Sequence, residues 1–199
     1  AAATTAADRV ALAVAPQISP DEAGADSARV RDAAAALLDD LDRRSPETLD
    51  DLDAVLRAAT AATEAFALAR YAEDMSADPA DDVSDSVATT AVALARSALR
   101  TAEALGDLPA GGGGRLDGEA DLAGVASLLR RAGIAASDAY RSRVIAARAD
   151  ADGISADAAE ARVAAADPAA LRALALDHAR DELAERAPDD RGWAALGLA

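Results

Sequence analysis

The chain contains one histidine, His178, inside the run Asp177-His178-Ala179-Arg180-Asp181-Glu182-Leu183-Ala184-Glu185. On a helix, Asp177, His178, Asp181, Glu182 and Glu185 fall within about two turns, and an imidazole beside carboxylates is a reasonable ligand set for a divalent transition metal. His178 and Glu182 would have to converge, and a second helix normally completes such a site. No Glu-x-x-His pair of the di-iron type occurs. The plainer alternative is a polar helix edge that carries one histidine. A single histidine excludes His-rich zinc sites, and the lack of cysteine removes disulfides, thiolate metal sites and thiol catalysis.

Three other motifs invite a chemical reading. Asp81-Asp82-Val83-Ser84-Asp85 matches the Asp-Asp-x-x-Asp pattern by which prenyl-transferring helical enzymes hold magnesium. With 27 Asp in 199 residues such spacings arise by chance. The run also sits at a helix start, where the dipole favours carboxylates in any case. No partner motif follows, and four aromatic residues are too few to line a terpenoid cavity. The four glycines at 111–114 have no strand before them and no Gly-Lys-Ser/Thr after them, so they read as a linker and not as a phosphate loop. The stretch from Ile154 to Leu171 could bend into a helix-turn-helix, but its acidic surface argues against DNA. No Ser-His-Asp triad stands out among so many Ser and Asp residues.

Charge narrows the partners further. The net charge is −16, from 20 Arg, no Lys, 27 Asp and nine Glu. Such a polyanion repels nucleic acid and anionic membrane surfaces, which are bound through clustered cations. A GC-rich genome produces this bias, and so does a salt-filled cytoplasm, where a Debye length of about 3 Å at 1 M salt screens carboxylate repulsion. The excess of Asp over Glu resembles the composition of haloarchaeal proteins. The longest apolar run, Val10 to Ala15, is too short to span a membrane. Ala1 to Thr5 lack the charged and apolar regions of a signal peptide, which sets the expectation of a cytoplasmic protein.

The elements that must position these residues are helices. Alanine supplies 62 residues against 41 of all other apolar types, so strong helix propensity and close helix approach must replace large core side chains. Ser45 to Met75 predicts a long central helix, with Ser45-Pro46 as its start and Leu49, Leu52, Leu56, Ala59, Thr63 and Phe66 along one face. Ahead of it, Thr5 to Val14 predicts a short helix whose Val10, Leu12 and Val14 share no single face. Ser19-Pro20-Asp21-Glu22 starts a helix to Arg44, with Val30, Leu37, Leu38 and Leu41 inward and Ala33 and Ala34 as close-approach positions. Asp78-Pro79 opens a fourth helix that stops at Gly106. Beyond the glycines, helices are expected from Gly118 to Ala149, from Ser155 to Ala166, and from Asp167-Pro168 to just before Pro188. Ser45-Pro46-x-x-Leu49-x-x-Leu52 and Asp167-Pro168-x-x-Leu171-x-x-Leu174 repeat one pattern, as a duplicated three-helix unit or any proline-started amphipathic helix would.

The short loops, the two three-helix halves and the spacing of four between Asp177, Asp181 and Glu185 resemble phosphate-uptake regulators of the PhoU type. That resemblance implies metal-binding carboxylates on those positions. The helical pattern is also similar to that of the cyclodeaminases, although their glycine-rich serine motif is absent from this N-terminus.

The expectation is thus an all-α, up-down bundle of about six Ala-rich helices. Residues 1–109 and 115–188 form its halves within one compact domain, and 189–199 form a tail. Trp193, Leu196 and Leu198 in that tail are candidate interface anchors. The leading functional expectation is a non-catalytic protein that works through protein–protein contacts as a homo-oligomer, without a cofactor. The alternative is a metal-binding regulator or enzyme using the Asp177–Glu185 face.

Overall fold

The structure, a computed structural model, describes residues 6–44, 48–77, 82–107, 145–147 and 149–185. Among these it is all helical, with no strand. The α-helices are α1 (Ala6–Val14), α2 (Pro20–Asp42), α3 (Leu49–Ala77), α4 (Asp82–Gly106), α5 (Ala156–Ala166) and α6 (Pro168–Glu185), with a 3-10 turn at Ala15–Gln17. Residues 145–147 and 149–152 are also helical.

Local chemistry sets the helix starts. The Ser19 hydroxyl accepts from the Glu22 amide, and the Glu22 carboxylate accepts from the Ser19 amide, a reciprocal cap ahead of Pro20. Thr48 and Asp51 exchange the same pair of bonds at the start of α3. Ser45 and Pro46, the start expected from sequence, lie outside the described residues. Ser155 caps α5 by accepting from the Ala158 amide, and Asp167 caps α6 by accepting from the Ala169 amide.

α3 is the helix about which the others assemble, packing against α2, α4 and α6. The sequence predicts one apolar face for it. In the fold, every residue from Ala65 to Ala69 is fully buried, so the helix is enclosed on all sides. The second face consists of Ala58, Ala62, Ala65, Ala69 and Ala72, fully buried and spaced alternately by four and three. Alanine at those positions lets neighbouring helices approach closely. Gly24 of α2 faces Ser76 while Arg31 reaches Glu73, so α2 and α3 run in opposite directions.

On α2, Val30, Ala34, Leu38 and Leu41 are buried as expected and Leu37 is half-buried, but Ala33 is exposed. Arg44 bridges two helix ends: its guanidinium donates to Asp40 in the last turn of α2 and to the Gly106 carbonyl at the C-terminus of α4. Leu171, Leu174 and Leu183 of α6 join the same core as Phe66 and Leu94. Helices from both sides of the glycine run therefore share one interior. The run itself, at 111–114, lies outside the described residues.

Candidate functional site

Among the described residues, charge gathers between helices around His178 and around Arg172. The first is built on α6, where Leu171, Leu174, Ala175 and Leu183 bury one face and carry His178 toward α3 and α5. The imidazole Nε2 lies 2.7 Å from Glu160 Oε1, and Nδ1 lies 3.7 Å from Asp74 Oδ2. The Tyr71 hydroxyl donates to the same Glu160 oxygen at 3.1 Å. The Tyr71 ring meets the imidazole edge-on, with centroids 4.8 Å apart. Glu160 and Tyr71 are buried, and His178 and Asp74 are partly exposed. These groups open onto a cavity of about 310 Å³ that Met75, Ser84 and Asp157 help to line.

Protonation decides what this arrangement can do. A neutral imidazole donates from one nitrogen and turns a lone pair outward from the other; only the imidazolium donates from both. Here Nε2 is within hydrogen-bond distance of Glu160, whereas Nδ1, 3.7 Å from Asp74, is beyond it. A hydroxyl, that of Ser84, shares the cavity with a Glu-oriented imidazole, which are ingredients of nucleophilic catalysis.

The second cluster centres on Arg172, six residues before His178 on α6. Its guanidinium donates to Asp8 of α1 and to Glu64 of α3. Burial opposes its charge, yet attraction to Glu64 and hydrogen bonds to Glu64 and Asp8 hold its pKa above the ordinary value. A cavity of about 290 Å³ lies beside it, lined also by Ser97, Thr101 and Leu94. This pairing explains the orientation of α1. Asp8 and Ala11 face inward while Val10 and Val14 face solvent, because a carboxylate with a buried cationic partner outcompetes two valines for the inner face.

The sequence-derived metal set is not gathered in one place. Asp177 is buried and pairs with Arg180 at 3.4 Å. Asp181 points outward, its side chain 92% exposed. Glu182 faces Arg70 at 3.8 Å, and His178 turns to Glu160 and Asp74. The Glu185 side chain lies outside the described residues. Among the described residues, no group of three or more His, Asp or Glu is placed to hold a metal ion. Of Asp81-Asp82-x-x-Asp85, Asp81 and the Asp82 side chain lie outside the described residues, while Asp85 lines a shallow groove with Leu12, Pro16 and Thr89. Trp193, Leu196 and Leu198 also lie outside them.

Sequence reasoning missed Glu160, Asp74 and Arg172. Glu160 carried a usable signal, since it stands four residues before Ala164 in a helix whose buried face is otherwise alanine. Asp74 and Arg172 lie beside apolar stripes, and only the packing reveals what they face. Comparison of the chain with protein-family models, curated proteins and solved structures finds no match, so the likenesses to phosphate-uptake regulators and cyclodeaminases gain no support. The fold and these two clusters define the class: an all-α bundle with ion pairs set between its helices.

Proposed function

We propose that this protein is a non-catalytic, acidic helical bundle that works in the cytoplasm through protein–protein contacts, with a second copy of itself as the first partner. The observation that carries the reading is where the interior charges go. Arg172 lies between Asp8 and Glu64, His178 lies between Glu160 and Asp74, Arg31 pairs with Glu73, and Arg96 pairs with Asp26. Each of these ties one helix to another, so the charged side chains act as fasteners of the bundle.

The surface supports a contact role. Val10 and Val14, four residues apart on α1, are 61% and 40% exposed, and Val83 at the start of α4 is 39% exposed. The net charge of −16 disfavours nucleic acid as the partner. In a salt-rich cytoplasm, screening would let two such acidic surfaces meet. Among the described residues, no helix is long and apolar enough to cross a membrane.

Light scattering on the purified chain in molar KCl, joined to metal analysis after dialysis, tests the proposal. The expected result is a mass of at least twice the 19.9 kDa of one chain, without stoichiometric metal. A 19.9 kDa species throughout would end the self-association reading. A divalent metal retained one per chain would favour the metal-binding alternative.

A further inference from the structure

We propose that α1 is an exchange arm: in the self-associated form it crosses to a second copy and docks there on the seat it occupies in its own bundle. The inference rests on the self-association reading and names the surface that carries it. That seat is already shaped for a part of this same chain, so any second copy offers it. It is also suited to join two acidic bodies. With a net charge of −16, two copies repel unless a cation of one meets an acid of the other. The seat supplies that cation, since Arg172 of α6 donates to Asp8 of α1 and to Glu64 of α3. A reciprocal exchange forms the Asp8–Arg172 pair twice, once in each direction, as a two-fold interface requires.

Little apolar burial holds α1 in place. Of its nine residues, Asp8 and Ala11 are buried, and alanine contributes little area. The seat itself is made by elements far along the chain. α1 packs along α4, and Asp8 reaches α6. Ala7 and Asp8 line the cavity beside Arg172, opposite Ser97 and Thr101 of α4. Leu12 lines the groove that Asp85, Thr89 and Thr90 of α4 also border. The same helix from another chain fills both places without changing a contact.

The connector favours opening. It runs through the 3-10 turn Ala15–Gln17, then Ile18 and Ser19 in extended backbone, before Pro20 begins α2. A residue ahead of proline is biased toward extended backbone, which here applies to Ala15 and to Ser19. Ser19 has that conformation, at φ −72° and ψ 154°. Ala15 is folded into the turn, so straightening it moves the connector toward its local preference. Opening gives up the hydrogen bond from the Ile18 amide to the Ala15 carbonyl. Because α1 regains on the second copy what it leaves behind, the connector and the protein concentration set the balance. Exchange also puts Val10 and Val14, exposed on α1, in the region between the copies.

Two charge-reversed chains test the crossing. In Asp8→Arg alone, and in Arg172→Asp alone, positions 8 and 172 carry like charges whether or not α1 crosses. Mixed one to one, the chains bring opposite charges together only when α1 crosses. Asp8 of one then meets Arg172 of the other, and the two substituted residues meet each other. Refolded together, the mixture should form a two-chain species whose α1 amides exchange about tenfold more slowly than in either variant, between the effects of surface and buried pairs. A second measurement needs neither variant, because the chain lacks cysteine. Leu12→Cys with Thr90→Cys sets one thiol on α1 and one on α4 along the same groove. A short bis-maleimide should then join two chains into a covalent species of twice 19.9 kDa. A link confined to single chains, in a sample that light scattering shows to be dimeric, would overturn the exchange and leave self-association standing. So would a folded mixture no better protected than its components. A wild type at 19.9 kDa throughout would remove self-association and the exchange with it.

Discussion

Replacing Arg172 with methionine should loosen both ends of the bundle at once. The guanidinium is the shared partner of Asp8 and Glu64, and it joins α6 to α1 and α3. Removing it takes the Arg172 ion pair away from Asp8, which is 6% exposed. Breaking a fully buried ion pair costs about 3–5 kcal/mol, while a surface pair is worth about 0–1 kcal/mol. The Arg172 side chain is 25% exposed and that of Glu64 30%, which places this cluster between the limits. A cost of about 2–3 kcal/mol is expected, less than the buried limit because water still reaches Glu64. For a chain of this size, that lowers the melting temperature by about 4–12 °C. Thermal denaturation followed by circular dichroism in fixed salt gives the number. Adding Asp8→Asn to Arg172→Met should restore part of the loss, because the buried position then carries no charge, and hydrogen exchange in α1 should rise in the single variant. If Arg172→Met melts within about 1 °C of wild type, or the two substitutions add without coupling, the cluster does not fasten α1.

Ala69→Leu forces extra volume into a fully buried face of α3 and should cost about 1–3 kcal/mol in urea denaturation, whereas an unchanged midpoint would deny close helix approach there. The Glu22 carboxyl is held below its ordinary value of 4.5, first by the Ser19 amide and then by the Ser19 hydroxyl. Because its folded-state pKa is depressed, its support is complete above that value and is lost as pH falls through the folded one. Ser19→Ala should therefore flatten the acid limb of a stability–pH curve, and an unaltered limb would refute the reciprocal cap. With a net charge of −16, the melting temperature should climb steeply from dilute buffer to molar KCl. A flat curve would leave GC bias as the reason for the composition.

Much of the fold was legible because proline starts and alanine periodicity are local signals. α5 occupies Ala156–Ala166 and α6 begins at Pro168, as Ser155 and Asp167-Pro168 predict. The enclosure of α3 was less visible, since alanines on its second face resemble neutral surface positions until partners cover them. α1 was legible as a short helix whose valines share no face, but not its inner face, where Asp8 meets a cation 164 residues away. The charged clusters were illegible for the same cause. In a chain with 36 acids and 20 arginines, most charges belong on the surface, and sequence alone does not show which carboxylate meets Arg172 or His178. His178 itself was recognised, but as a member of its own helix face; its partners come from α3 and α5.

The claim that this bundle acts by meeting a second copy of itself is tested most directly by sedimentation equilibrium in molar KCl. Wild type should be run beside a Val10→Asp/Val14→Asp variant, whose substituted side chains are already solvent-exposed and leave the core untouched. The account predicts a wild-type mass of at least twice 19.9 kDa and a lighter, still helical variant. Two samples sedimenting alike at 19.9 kDa would contradict it.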